Sequence, residues 1–111
     1  MATAQFIHDG KSIDYTPGAD VSAGDVVVQG DLVGIAKLDI AAGALGALAV
    51  TGVFDIAKAS GSSAVIAAGS KIYWDADEEV ATTTAGDNKY LGKAIKTAGS
   101  DDATVRVRLD Q

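Results

Sequence analysis

His8 and Asp9, adjacent in the opening "FIHDGKS", form the one histidine–carboxylate neighbour pair in the chain, and such pairs can do general acid–base work. His8 is also the only histidine, and there is no cysteine. That excludes thiol nucleophiles, disulfide frameworks and thiolate zinc sites, and leaves a histidine-based zinc site short of ligands. His8 stands in a polar terminal stretch, where an exposed histidine without chemistry is the expectation. The acidic run Asp75, Asp77, Glu78, Glu79 in "WDADEE" looks like the start of a calcium loop, but the glycine and the distant bidentate glutamate are missing. A solvated hairpin tip accounts for it, and "SDDAT" at Ser100–Thr104 reads the same way. The serines have no second histidine and no GxSxG elbow to work with. "GDLVGIAK" has neither a GxGxxG nor a Walker lysine–serine pair. No catalytic residue, cofactor-binding residue or metal ligand is therefore expected, and the chain does not read as an enzyme.

Charge narrows the partners. The net charge is -6 with a pI near 4.4, which argues against a nucleic-acid footprint. Against that background Lys93, Lys96, Arg106 and Arg108 cluster late in the chain. Two paired strands would gather them into a basic stripe, either a guard against edge association or a contact for an acidic partner. The longest apolar-looking stretch, Ile40–Val50, is too short for a bilayer and is interrupted by Gly43 and Gly46. Met1–Gly10 has no basic start and no apolar core of a signal peptide.

The elements that would position these residues are strands. In "ATVRVRL", Val105, Val107 and Leu109 alternate with Thr104, Arg106 and Arg108, the period of a half-buried strand. "ALAVTGVFDIAK" alternates too, with Gly52 inside the pattern marking a bulge or bend. "KIYWDA" puts Ile72 and Trp74 on one face and pairs with "EEVATTT" around Ala76–Asp77. "DVVVQ" and "LVGIAKL" form a hairpin about Gln29–Gly30–Asp31. "YLGKAIKT" is a further strand without clear parity, and "SIDYT" is stopped by Pro17–Gly18. Gly43 and Gly46 weigh against a helix over Ile40–Leu48. The recurring Ala-Gly before an apolar run, ending at Gly24, Gly43, Gly69, Gly86 and Gly99, is turn punctuation, and its uneven spacing rules out a fixed-period solenoid. The 111 residues make one domain: all-β, a small β-barrel or β-sandwich of seven or eight strands over residues 13–111, preceded by an extended N-terminal arm over residues 1–12. The expected core is Val26, Val28, Leu48, Val50, Phe54, Ile56, Ile72, Val105 and Val107.

In their order along the chain, "IDYTP", the "AGDVV" step, "GALAVTGVF", "KIYWD", "YLGKAI" and "TVRVRL" resemble the capsid cement, or head decoration, proteins of tailed bacteriophages. The resemblance spans nearly the whole chain and rests on the order of the pieces. It implies a small β-rich structural virion protein that binds the outer surface of the expanded head and stabilises it. It also implies a homotrimer, the major capsid protein as partner, and an N-terminal arm that helps clamp the shell, with assembly in the host cytoplasm. It implies no cofactor, nucleic acid, membrane or small-molecule substrate. Phe6, Ile7, Ile13 and Tyr15 are then the expected apolar anchors of a capsid-contact arm. A competing class is a small ligand- or carbohydrate-binding module of a phage or prophage, with Trp74, Tyr73 and Tyr90 lining one pocket. A carrier domain is disfavoured, because Lys89 lacks the flanking methionines of such a hairpin.

Overall fold

Val105, Val107 and Leu109 are buried and the residues between them exposed, so the alternation read in "ATVRVRL" is realised as written. The computed structural model describes residues 3–59 and 65–110. Met1 and Ala2 of the expected arm and Gln111 of the expected domain lie outside them. The described residues contain nine strands and no helix. The first sheet holds β1 (Ser12–Tyr15), β2 (Val26–Gln29), β3 (Leu32–Ala36) and β4 (Gly46–Ala49), in the order β1-β4-β3-β2. The second holds β5 (Thr51–Ala57), β6 (Lys71–Asp75), β7 (Val80–Thr82), β8 (Lys89–Ala94) and β9 (Thr104–Asp110), in the order β5-β9-β8-β6-β7. All strand pairs are antiparallel. The second sheet curls until one parallel bridge, Lys58 to Ala81, joins its two edges. The barrel does not close beyond that point, and the two sheets stack as a sandwich.

Parity explains where the core sits. On β3, Val33 and Ile35 face the second sheet and pack with Ile56, Ile72, Trp74, Leu91, Val105 and Val107. Ala36, of the opposite parity, turns to the other side of the first sheet, where it packs with Ile40 and Leu48. Gly34 shares that parity. β3 is therefore buried on both faces, as a central strand between two clusters must be.

Five of the nine expected core residues, Leu48, Ile56, Ile72, Val105 and Val107, are buried. Val26 and Phe54 are half-buried against the main cluster. Val28 and Val50 differ from expectation. Val28 is 37% exposed because β2 is an edge strand. Val50 falls between β4 and β5, where the chain leaves one sheet for the other, so the alternation through "ALAVTGVF" spans two strands rather than one. Gly52, with φ +113°, lies just beyond that crossing and supplies the bend its position in the pattern suggested.

The two sheets repeat one another. β1, β2, β3 and β4 correspond to β5, β6, β8 and β9, with the same strand order. An antiparallel bridge joins Val21 to Ile40 in the first unit and Ile66 to Ala98 in the second. The Gly24 amide donates to the Ala36 carbonyl at 2.6 Å, and the Gly69 amide to the Ala94 carbonyl at 2.7 Å. Even a side-chain bond recurs: the Ala23 amide donates to Asp39 Oδ1 at 2.8 Å, and the Ala68 amide to Thr97 Oγ1 at 3.1 Å. The "VSAG" and "IAAG" turns are thus equivalent positions of a duplicated unit. β7 and its loops are inserted between β6 and β8, so the bridge partners Ile66 and Ala98 of the second unit stand further apart along the chain than Val21 and Ile40 of the first.

Candidate functional site

The chemistry-bearing residues are occupied with local structure. His8 Nδ1 accepts the Gly10 amide at 2.9 Å, a hook within the N-terminal segment. Asp75 Oδ1 accepts the amides of Asp77 and Glu78 at 3.0 and 3.1 Å, which shapes the β6–β7 tip. Among the described residues no three His, Cys, Asp or Glu side chains come together as a metal site. The aromatic trio of the competing reading is divided. Tyr73 and Tyr90 meet edge to face, with centroids 5.7 Å apart, while Trp74 points through the sheet into the main core. Tyr73 and Tyr90 border one surface cleft and Trp74 another.

The basic stripe is assembled, and acids interrupt it. Lys93 and Arg108 lie directly opposite one another on β8 and β9. Lys93 reaches Asp110 at 3.5 Å, and Arg106 grips Asp55 through Nε at 2.9 Å and Nη2 at 3.2 Å. Lys96 adds its charge near Asp55. The outer face of the second sheet is therefore a mixed-charge surface, and Val53 is exposed on it. The hydrogen bonds from Arg106 hold the Asp55 carboxyl below the usual carboxylate range, with burial opposing them. The same bonds push the Arg106 guanidinium up. A lowered folded-state pKa means a contribution present above the ordinary carboxylate pKa and lost as pH falls through the lowered value. The small difference in melting temperature between the native protein and Asp55→Asn is thus expected near pH 7 and should shrink as pH falls below the ordinary carboxylate range, vanishing once Asp55 is protonated. A difference that persists in acid would assign it to packing.

The four expected arm residues divide in two. Phe6 and Ile7 are 78% and 74% exposed, in an extended segment ahead of the first strand. Ile13 and Tyr15 belong to β1 and pack, half-buried, on the second cluster with Ile40 and Leu48. The segment joins the body at Lys11, whose carbonyl accepts the Val50 amide at 3.1 Å.

Lys58 is a residue the sequence reading passed over. Its side chain is buried, at 6% exposure, and its Nζ donates to the carbonyls of Ala59, Gly99 and Asp102 at 2.8, 3.1 and 3.0 Å. It ties the end of β5 to the loop before β9. Nothing in "DIAKAS" marks this lysine, since its three partners are backbone atoms, two of them far along the chain.

Polar groups spent on turns and ladders, and apolar side chains left at the surface, are the make-up of a small all-β structural protein. The family profile of the phage cement proteins matches residues 7–109, nearly the whole chain. The chain belongs to that family, whose role is structural and associated with the phage capsid. Comparison with curated proteins and with solved structures finds no match in either.

Proposed function

We propose that the protein binds the outer surface of the expanded phage head as a homotrimer and stabilises the shell, with its N-terminal arm as one of the clamping elements. The observation that supports this most is the exposed pair Phe6 and Ile7 ahead of a well-packed β body, in a chain that matches the cement proteins from residue 7 to residue 109. Contacts that exist only on the assembled lattice stabilise it by mass action. A trimer engaging several sites multiplies weak contacts into firm attachment. Phe6 and Ile7 supply apolar contacts to the major capsid protein. Ile13 and Tyr15 anchor the root of the arm to the β body, so that tension on the arm is passed to the sheet.

An arm that orders on binding gives up about 1–2 kcal/mol of chain entropy per residue, so it must gain more than that on the shell while adding little to the free fold. Deletion of residues 1–10 tests this. The cut stops before Lys11 because its carbonyl holds the Val50 amide. The expected result is an unchanged trimer by light scattering, a melting temperature shifted by under about 3 °C, and a sharp loss of co-sedimentation with expanded heads. A truncated protein that binds as well as the full chain would remove the arm from the mechanism. One that falls apart into monomers would place the arm at the subunit interface.

A further inference from the structure

The duplicated fold leaves one position unfilled. In the second unit, the outer edge of β6 is covered by β7, with Tyr73 opposite Thr82 and Trp74 opposite Ala81. Its counterpart in the first unit, β2, has no strand outside it among the described residues. The other edges are blunted: β5 meets β7 through the Lys58–Ala81 bridge, and β1 carries Asp14 and ends just before Pro17. β2 reads Val26-Val27-Val28-Gln29, with no proline, no charge and no register shift against β3. Gln29 and Leu32 close a two-residue turn, so Val27 and Gln29 bond to β3, while the N–H and C=O groups of Val26 and Val28 face outward.

Beside this edge lies a trough of about 500 Å³, lined by Gly24, Asp25, Val26, Val28, Trp74 and Glu79 among others. Its charged residues are both acids. Glu79 is the only non-glycine residue among those described with a left-handed backbone, φ +56°. That conformation is costly for a side chain with a Cβ, and it is held where Glu79 borders the trough. Adjacent residues of an added strand point to opposite faces. Val26 packs toward the main core and Val27 toward the second cluster, so the edge offers apolar surface on both sides.

We infer that β2 is a strand-addition site that takes an extended basic segment of another protein, with apolar residues at two adjacent positions and a Lys or Arg facing Asp25 and Glu79. Resting on the capsid role proposed above, the donor is a segment of the shell protein. A second copy of this chain is poorly suited. Its arm carries Lys11 offset by Asp9, and its late basic residues Lys93, Arg106 and Arg108 sit in β8 and β9, each already paired on both sides. Main-chain hydrogen bonds supply affinity here, and the trough supplies selection.

Val28→Pro tests the inference, because it removes only an outward amide and keeps the β3 ladder. Its retention on expanded heads is expected to fall at least about tenfold, with melting temperature and light-scattering mass unchanged. Should the proline disturb folding, Val28→Lys decides, since an edge lysine blocks strand addition with the backbone intact. Val28→Ile should bind as the native protein does. Glu79→Gln should weaken binding at low salt and flatten its salt dependence. Amide exchange over Val26–Gln29 should slow on the shell relative to the free protein. Native-level retention of a folded Val28→Pro, beside a native protein that binds, overturns the strand-addition site and leaves the capsid role standing. Loss of self-association in place of shell binding makes a second copy the occupant and overturns the shell donor. A native protein that does not sediment with heads overturns both readings together.

Discussion

Gly92→Ala is expected to destabilise the protein by at least about 3 kcal/mol, lowering the thermal midpoint by roughly 10–20 °C. Gly92 lies buried on β8 directly opposite Leu109 of β9. A Cβ built there overlaps the carbonyl oxygen of Arg108 and stands 2.8 Å from its carbonyl carbon and 3.0 Å from Leu109 Cα. All three are backbone atoms of β9, which is paired with β5 along its whole length, so relief requires β9 to move and to strain that pairing. Gly34 is the equivalent position in the first unit, and its virtual Cβ falls 2.7 Å from Leu48 Cβ and 3.2 Å from Leu48 Cδ1. The overlap there is smaller than at Gly92, although Leu48 Cβ moves only with its backbone and the Ala49 carbonyl oxygen lies 3.3 Å away. Gly34→Ala should therefore cost less than Gly92→Ala, and thermal melts of the two variants measure the difference. Equal and near-native midpoints would mean that β8 and β9 are further apart than described.

Lys58→Met is the second large effect, at about 2–4 kcal/mol. Methionine keeps the length and the apolar stem, so the loss reports the ammonium. Removing it leaves the carbonyls of Ala59, Gly99 and Asp102 without their common part-buried donor. The loop from Gly99 to Asp102 is also fastened by its own bond from the Gly99 amide to Asp102 Oδ2 at 2.7 Å, so it should keep its shape while losing its tie to β5. Urea unfolding should show a lower midpoint at an unchanged slope. A midpoint equal to that of the native protein would show that the three carbonyls find other donors.

Much of the fold was legible because period-2 patterning is a local signal. β9, β6 and the β2–β3 hairpin were read directly from Val105–Leu109, Ile72/Trp74 and the Gly30–Asp31 turn. Features set by the assembled sheets were not legible. Val28 has a core residue's chemistry, and only the absence of a neighbouring strand exposes it. Val50 fits the parity of its neighbours, and only the crossing between sheets takes it out of the pattern. The duplication was hidden because the shared turns, "VSAG" and "IAAG", are short, and the inserted β7 makes the second unit longer than the first. For the candidate site, the exposed Phe6–Ile7 pair and the basic residues were visible in composition. The acids that interrupt the stripe, Asp55 and Asp110, come from strand register. Lys58 and the outlying backbone of Glu79 are tertiary facts that no short window carries.

The duplicated units are not equal in substance, and this bears on how the molecule breathes. The cluster outside the first sheet has three buried members, Ala36, Ile40 and Leu48, whereas the one between the sheets has thirteen. Local opening follows the depth of apolar packing. The thin side, where β1 and β4 lie over Ile40, is therefore the natural place for transient excursions, while β8 and β9 stay shut until the whole chain unfolds. The arm root at Ile13 and Tyr15 belongs to that yielding side. On the role proposed above, a partner that grips it would restrain the side of the molecule that opens most easily, and the head would receive a reinforcing piece that stiffens as it is fastened.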